Sequence, residues 1–384
     1  MEKAIAKIND LNDGEMKEIV IGDLTLVLIR VDGKYHVMGG KCSHAGGPLA
    51  EGMLHGHTVR CPWHQACFNA LTGERKDPPA IDDLPQFGVR VDDDDIIVEI
   101  PDDAKQQIPP KMAKPSPNDK RTFVIVGAGG AGSSAAESLR HNGYQGRIVM
   151  ITRESILPYD RTALSKGYLK SDDAELYFDR SQSFYDEYGI DVMTECDVTG
   201  LDALAKTLTL SDGSTMKYDK VLLAMGSIPR RLDVPGASLV NIFTLRSSAD
   251  ADKIKAVAKK GSQAVVIGAS FIGLETSANL ADRGVSVTIV APESVPFERI
   301  LGTEIGSMYQ SQHEEKGNKF KLGRTVSSFE GDDVVKQVTL DNGGKLSADL
   351  VILGVGVQPA TVFLKGINLN PDGGVSVDKH FKVA

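Results

Sequence analysis

With 384 residues, an ordinary apolar content and a formal net charge of −9, the chain has room for two or three domains. No apolar run approaches the roughly 20 residues that a membrane-spanning helix needs, and residues 1–10 carry neither a secretory apolar region nor an Arg-rich transit pattern. Residues 1–103 hold 19 Asp and Glu against 10 Lys and Arg, while the remainder holds 33 of each, so the whole net charge falls on the front of the chain. That sign argues against nucleic acid and suits steering toward a basic partner. Four cysteines, two of which are needed below, leave no disulfide framework and point to a reducing compartment.

The first hundred residues read as short β-runs between Gly and Asp turns: Glu18–Ile21, Leu24–Val31, Tyr35–Met38, Thr58–Cys61, Gly88–Val91 and Ile96–Ile100. Close spacing with turn signals predicts an all-β sandwich or barrel, and the run Asp92-Asp93-Asp94-Asp95 predicts a solvated hairpin turn. Within it stand Cys42-Ser43-His44 and Cys61-Pro62-Trp63-His64. Each short loop supplies one thiol and one imidazole, the donor set of a Rieske-type [2Fe–2S] centre. Neutral imidazoles on one iron raise the potential to roughly −150 to +300 mV. A tetrahedral zinc site could use the same four side chains, although zinc pairs usually keep like residues together. Gly46-Gly47-Pro48-Leu49 makes a turn after the first pair. Cys67 reads as a packed free thiol, and His55 and His57 as solvated loop residues.

A polar, proline-rich stretch over 104–120 predicts a linker. Beyond it the pattern changes to strands alternating with helices, the mark of a doubly wound α/β fold, and the pattern occurs twice. Phe123–Val126 leads into Gly127-Ala128-Gly129-Gly130-Ala131-Gly132, a helix through Arg140 and strand Arg147–Thr152. Ala264–Ile267 leads into Gly268-Ala269-Ser270-Phe271-Ile272-Gly273, a helix through Arg283 and strand Ser286–Val290. In each, the first and last glycines permit a tight turn and close helix packing, and a pyrophosphate would meet the helix N-terminus. Ser270, in place of the middle glycine, is expected to hold the second nucleotide slightly farther off. Cys196 reads as a buried thiol.

Residues 3–103 resemble the Rieske ferredoxin-like family. The resemblance implies Cys42 and Cys61 on one iron, His44 and His64 on the other. Trp63 stands where respiratory-chain Rieske proteins carry a further cysteine, so the loop disulfide of that high-potential class is not expected. The soluble, lower-potential carrier type is. From residue 121 onward, the string Leu157-Pro158-Tyr159-Asp160-Arg161-Thr162-Ala163-Leu164-Ser165-Lys166 is similar to the flavin-contacting segment of oxygenase-serving ferredoxin reductases and apoptosis-inducing-factor-like proteins. A Rieske domain ahead of such a module resembles the apoptosis-inducing factor 3 branch.

That resemblance implies FAD bound by Gly127, Gly129, Gly132, Arg161 and Lys166, with Lys166 near the reactive ring edge. The family's ribose-binding acid falls on Arg153, so Glu154 is the expected substitute, and Val198 matches a position whose backbone meets adenine. Glu275 matches a glutamate facing the flavin-side lysine, so a catalytic Lys166–Glu275 pair is expected at the nicotinamide. Gly268 and Gly273 would hold NAD(P)H. The second ribose acid falls on Ala291, leaving Glu293 as substitute, and no arginine matches the 2′-phosphate position, so NADH is expected over NADPH. Leu223–Ser227 and Asp349–Pro359 match segments that join the two nucleotide modules.

The expected layout is a Rieske domain over 1–103, a linker over 104–120, a FAD domain over 121–239 resumed at 360–384, and an NAD(P) domain over 240–359. The expected activity is hydride transfer from NAD(P)H to flavin N5, then single-electron release to the cluster and on to a protein or small acceptor. A cytoplasmic or mitochondrion-associated location is expected. A redox-sensing, cell-death-type role and a degenerate flavin module with only the iron–sulfur carrier active are the alternatives. In the resembled proteins the sequence continues past the match to Val375–Ala384 with a Gly-Asp pair that binds ribitol and a domain that covers the flavin. None of that lies within the 384 residues, so FAD is expected to be held weakly.

Overall fold

Alternation along Leu24–Val31 organises the front of the chain, because successive side chains of a strand face opposite ways. Leu26 and Leu28 enter one apolar core with Val37, Ile96 and Val98, while Val27, Ile29 and Val31 enter another with Leu49, Val59 and Phe68. The structure, a computed structural model describing residues 1–383, divides at Met112/Ala113 into two units. In the first, a six-stranded antiparallel sheet runs in the order Glu2–Lys7, Asp95–Glu99, Gln86–Asp92, Lys34–Gly39, Leu24–Val31, Met16–Ile21. A four-stranded sheet, Met53–His55, Thr58–Arg60, Cys67–Asn69 and Arg75–Asp77, supplies the other side of the second core. That second core reaches Cys42 and Cys61, so the cysteine loops stand on packed β-structure. The four aspartates form a hairpin turn, with Asp92 opposite Asp95 and Asp93 at φ 51°.

The proline-rich stretch expected as a linker is divided between the units. Gln106 both donates to and accepts from the Thr25 backbone, at 2.6 and 3.1 Å, and Ile108 exchanges backbone bonds with Asp83. On the other side Ala113 and Ser116 donate to the carbonyls of Arg140 and Gln145, and Pro115 lies against Gly189. Arg140 is wholly buried, its guanidinium donating to the carbonyls of Tyr144, Gly146, Tyr188 and Gly189.

The second unit holds two parallel sheets of the same design. In the first the order is Ile190–Met193, Arg147–Ile151, Thr122–Val126, Lys220–Leu223. In the second it is Ile242–Phe243, Leu350–Leu353, Gln263–Ile267, Ser286–Ala291, Lys319–Leu322. Helices Gly130–His141 and Phe271–Asp282 follow the glycine-rich turns. Each module adds a three-stranded antiparallel meander, starting at Val198 and Val326. Ser227–Pro229 pairs antiparallel with Val357–Pro359, so the chain leaves for the second module and returns through one two-stranded neck.

Candidate functional site

Backbone bonds shape both cysteine loops of the first unit. The Cys42 N–H donates to the Gly47 carbonyl and the Gly46 N–H to that of Cys42, while the Cys61 N–H donates to the Ala66 carbonyl. Ser43, itself buried, ties the first loop to Asp82: its hydroxyl donates to the Asp82 carbonyl at 2.6 Å. Cys42 and Cys61 are buried at 3 % and 1 % exposure, and His44 and His64 are exposed. The site therefore has a thiol floor and an imidazole rim. Burial pushes the Cys42 thiol up to about 11, with the His44 N–H pulling the other way and the neighbouring Cys61 adding to the rise.

His44 Nδ1 and His64 Nδ1 face each other at 3.2 Å, their rings nearly perpendicular at 80°. Two nitrogens bound to one ion through metal–imidazole bonds of about 2.1 Å stand at such a separation. Among the described residues, no three His, Cys, Asp or Glu side chains gather as ligands of a single ion. Two buried thiols and two facing imidazoles are the donor types that a Rieske-type centre uses. A Cβ on Gly47 would lie 2.8 Å from Cys61 Sγ and 3.3 Å from the Trp63 ring, so a glycine is needed where the loops meet. Cys67 is buried, its thiol pushed up by burial and by Asp77. His55 is exposed, and His57 pairs with Asp32 at 2.6 Å on the surface.

In the second unit a cleft of about 800 Å³ opens beside the first glycine-rich turn. Gly127 has φ 106° and its Cβ would lie 2.3 Å from the Ala224 carbonyl; that of Gly132 would lie 1.9 Å from the Gly127 carbonyl. Gly129 differs: no atom lies within 4 Å of where its Cβ would be. The protein leaves that space open to the cleft, and no side chain caps the helix that starts there. Its first N–H groups therefore remain available to an anion. A pyrophosphate-bearing cofactor fits this cradle.

Glu154 and Arg161, proposed from separate segments, meet at the cleft as an ion pair of 2.5 Å. Tyr159 donates to the other Glu154 oxygen at 2.6 Å, and Arg161 also donates to the Arg246 carbonyl. Burial, then the Glu154 hydrogen bond, pushes the Tyr159 phenol up to about 12. Val198 is buried at the cleft wall, its N–H donating to Asp197 Oδ1 at 3.1 Å. Cys196 is a correction: expected buried, it is half-buried and lines the cleft. Sequence reasoning missed Arg246, which no motif marks. Its guanidinium lines the cleft against Gly226, no hydrogen bond holds it among the described residues, and burial, with Arg161 nearby, lowers its pKa.

The second glycine-rich turn repeats the first. Gly268 has φ 108°, and Cβ atoms on Gly268 and Gly273 would lie 2.3 and 2.1 Å from the carbonyls of Gly354 and Gly268. Ser270 occupies the N-cap without capping, so the helix N–H groups stay open here too. Glu293 is 3.5 Å from Arg299. Lys166 is exposed, and among the described residues no ion pair joins it to Glu275. Glu275 instead accepts from the Ser165 hydroxyl at 2.7 Å. The ion pair expected from the sequence is therefore not formed among the described residues, and the Ser165 hydroxyl is the side-chain partner of Glu275 there.

Comparison with known proteins places both units. The profile described as pyridine nucleotide-disulphide oxidoreductase matches residues 121–384, and that of the Rieske [2Fe-2S] domain matches residues 2–88. Apoptosis-inducing factor 3 of Homo sapiens is 37% identical over 99% of this chain, which spans 64% of that relative's length. Rhodocoxin reductase of Rhodococcus erythropolis is 34% identical over 68% of this chain and 62% of its own. Among solved structures, the covalent putidaredoxin reductase–putidaredoxin complex superposes with a TM-score of 0.65 at 31% identity, covering 69% of this chain and 65% of that one.

Proposed function

Because the chain belongs to the pyridine nucleotide-disulphide oxidoreductase family and carries a Rieske [2Fe–2S] domain ahead of that module, we propose that it is an NAD(P)H-dependent flavoprotein oxidoreductase serving its own iron–sulfur carrier. The observation that carries this reading is the presence, in one chain, of a paired thiol–imidazole site and two glycine-turn modules, the first with an open cleft. Bound FAD supplies hydride acceptance and one-electron release, which no side chain here could supply.

The chain's own groups bind and orient. The open space at Gly129 and the uncapped helix N-terminus take the pyrophosphate, Glu154 braces Arg161 across the cleft, and Arg246 adds a second cation. Glu154 keeps lone pairs for a ribose hydroxyl, and Val198 lines the adenine end. Lys166 offers its ammonium at the ring edge, and Glu275 orients the nicotinamide. Gly268 and Gly273 shape the NAD(P)H turn, and Glu293 accepts from the nucleotide ribose, favouring NADH. Cys42 and Cys61 hold one iron, His44 and His64 the other, and the exposed imidazoles form the exit for electrons. The putidaredoxin reductase neighbour was solved joined to putidaredoxin; here the carrier is part of the same polypeptide. The final acceptor is a protein or small oxidant.

Among the described residues no helix is long and apolar enough to cross a membrane. With Cys42 and Cys61 given to the cluster, Cys67 and Cys196 stand as unbridged thiols that suit a reducing compartment, and we place the protein in the cytoplasm; cell fractionation checks this. The function is tested by mixing the FAD- and iron-reconstituted chain with NADH under anaerobic conditions. Bleaching of the flavin, faster with NADH than with NADPH, is expected. A flavin that stays oxidised with both nucleotides would overturn the reading.

A further inference from the structure

The short turn Arg161–Ser165 and the helical turn Gly167–Lys170 belong by sequence to the first nucleotide module, yet their apolar side chains are buried in the second. Leu164 and Leu169, 2 % and 0 % exposed, share a core with Ala251, Ile254, Leu274 and Leu280, whereas the core of the first module is built on Val124, Val149 and Val198. Polar contacts point the same way. The Tyr168 hydroxyl donates to Asp252 at 2.7 Å, and the Lys255 ammonium lies 4.1 Å from the centre of its ring; both partners stand on helix Ser248–Val257. The N-terminal end of that helix meets the flavin-side end of the segment. There the Ser248 N–H donates to the Tyr159 hydroxyl at 3.0 Å, and the Arg246 carbonyl accepts from Arg161.

Arg283 closes the other end. Its side chain is 8 % exposed, with Nε donating to the Ala258 carbonyl at 3.2 Å, Nη1 to the Leu169 carbonyl at 3.4 Å and Nη2 to Asp172 at 2.6 Å. Ala258 and Leu169 stand at the C-terminal ends of helices Ser248–Val257 and Gly167–Lys170. The last carbonyls of a helix lack partners within it and favour a cation. Asp172 is 61 % exposed, so its ion pair adds little. The shielded carbonyl bonds do the anchoring, and the planar fork of one arginine reaches both. We propose that Arg283 is a positioning residue for the flavin site: it fixes the end of the segment carrying Arg161 and Lys166 to the second module, which thereby places flavin-contacting groups of the first. When a binding segment is competent only part of the time, apparent affinity falls by that fraction, and Arg283 keeps the fraction high. This inference rests on the reading above that puts Arg161 at the FAD site.

The test uses the full chain with Arg283→Met, Tyr168→Ala, Leu340→Ala and Arg161→Ala. Methionine keeps much of the apolar stem and removes the guanidinium. Tyr168→Ala loosens the same segment at its other anchor, and Leu340→Ala damages a different core of the second module. FAD titrated into flavin-free protein and followed by flavin fluorescence should give a Kd raised about tenfold in R283M and about threefold in Y168A, against within about twofold of wild type in L340A. Amide exchange of the flavin-free chain, read by mass spectrometry, should lose protection over residues 161–170 in R283M and keep it over strands Thr122–Val126 and Arg147–Ile151. Wild-type FAD affinity in R283M, or in Y168A should R283M not fold, with R161A weakened, would overturn the inference and leave the reading standing. Equal weakening in R283M and L340A at matched denaturation midpoints would do the same. Wild-type affinity in R161A would overturn the reading itself, and the inference with it.

Discussion

His64 shows what a single ring decides. Its Nδ1 stands 3.2 Å from that of His44, and without it the rim keeps one imidazole over two buried thiols. His64→Ala should lose the cluster, measured as iron and acid-labile sulfide, with FAD binding by the second unit unchanged. Gly47 makes a subtler case. Its Cβ would press on Cys61 Sγ at 2.8 Å, and the loop is closed by the Cys42–Gly47 backbone bond, so it has little room to give. Gly47→Ala should lower cluster occupancy in the same assay without lowering FAD content. The four residues proposed for the cluster stand out in the sequence because two thiols and two imidazoles share a local spacing, and the fold brings the imidazoles face to face over buried thiols. Arg246 and Ser165 do not stand out. Their partners lie 85 and 110 positions away, and only the tertiary fold brings them together.

At the scale of elements, the two glycine-rich turns were legible down to which glycines the backbone needs, since a positive φ and a carbonyl contact each leave a glycine in the string. Strands such as Arg75–Asp77 were not, because a short charged edge carries no apolar alternation. The boundary between the units falls at 112/113, inside the stretch expected as a linker, and what composition does not reveal is that the Gln106 side chain and the Ala113 backbone are each bonded into a unit. In the second cysteine loop Gln65 is held at φ 66°, a left-handed conformation that costs an L-residue roughly 1–2 kcal/mol. Gln65→Gly should therefore stabilise the first unit by about 1 kcal/mol, seen as a higher denaturation midpoint. In the Arg161–Ser165 turn, Arg161→Ala should weaken FAD binding about ten- to hundredfold, the worth of a charged hydrogen bond of roughly 1.5–3 kcal/mol. Fluorescence titration of the flavin reads this directly, and affinity equal to wild type would remove Arg161 from the cofactor site.

Over the whole molecule, the division of labour follows the division of cores. The first unit has its own two cores and most of the excess acid; the second is built on separate ones. Residues 1–112 expressed alone should fold and load their cluster, and failure to do so would show that the second unit is needed for that core. The central claim is that electrons from NADH reach the cluster of this chain by way of its flavin. The most direct measurement is electron paramagnetic resonance of the reconstituted chain, frozen after anaerobic mixing with NADH. One reduced Rieske-type spin per chain is expected, absent in His64→Ala and absent when FAD is withheld. A cluster that stays oxidised while the flavin is fully reduced would contradict the account.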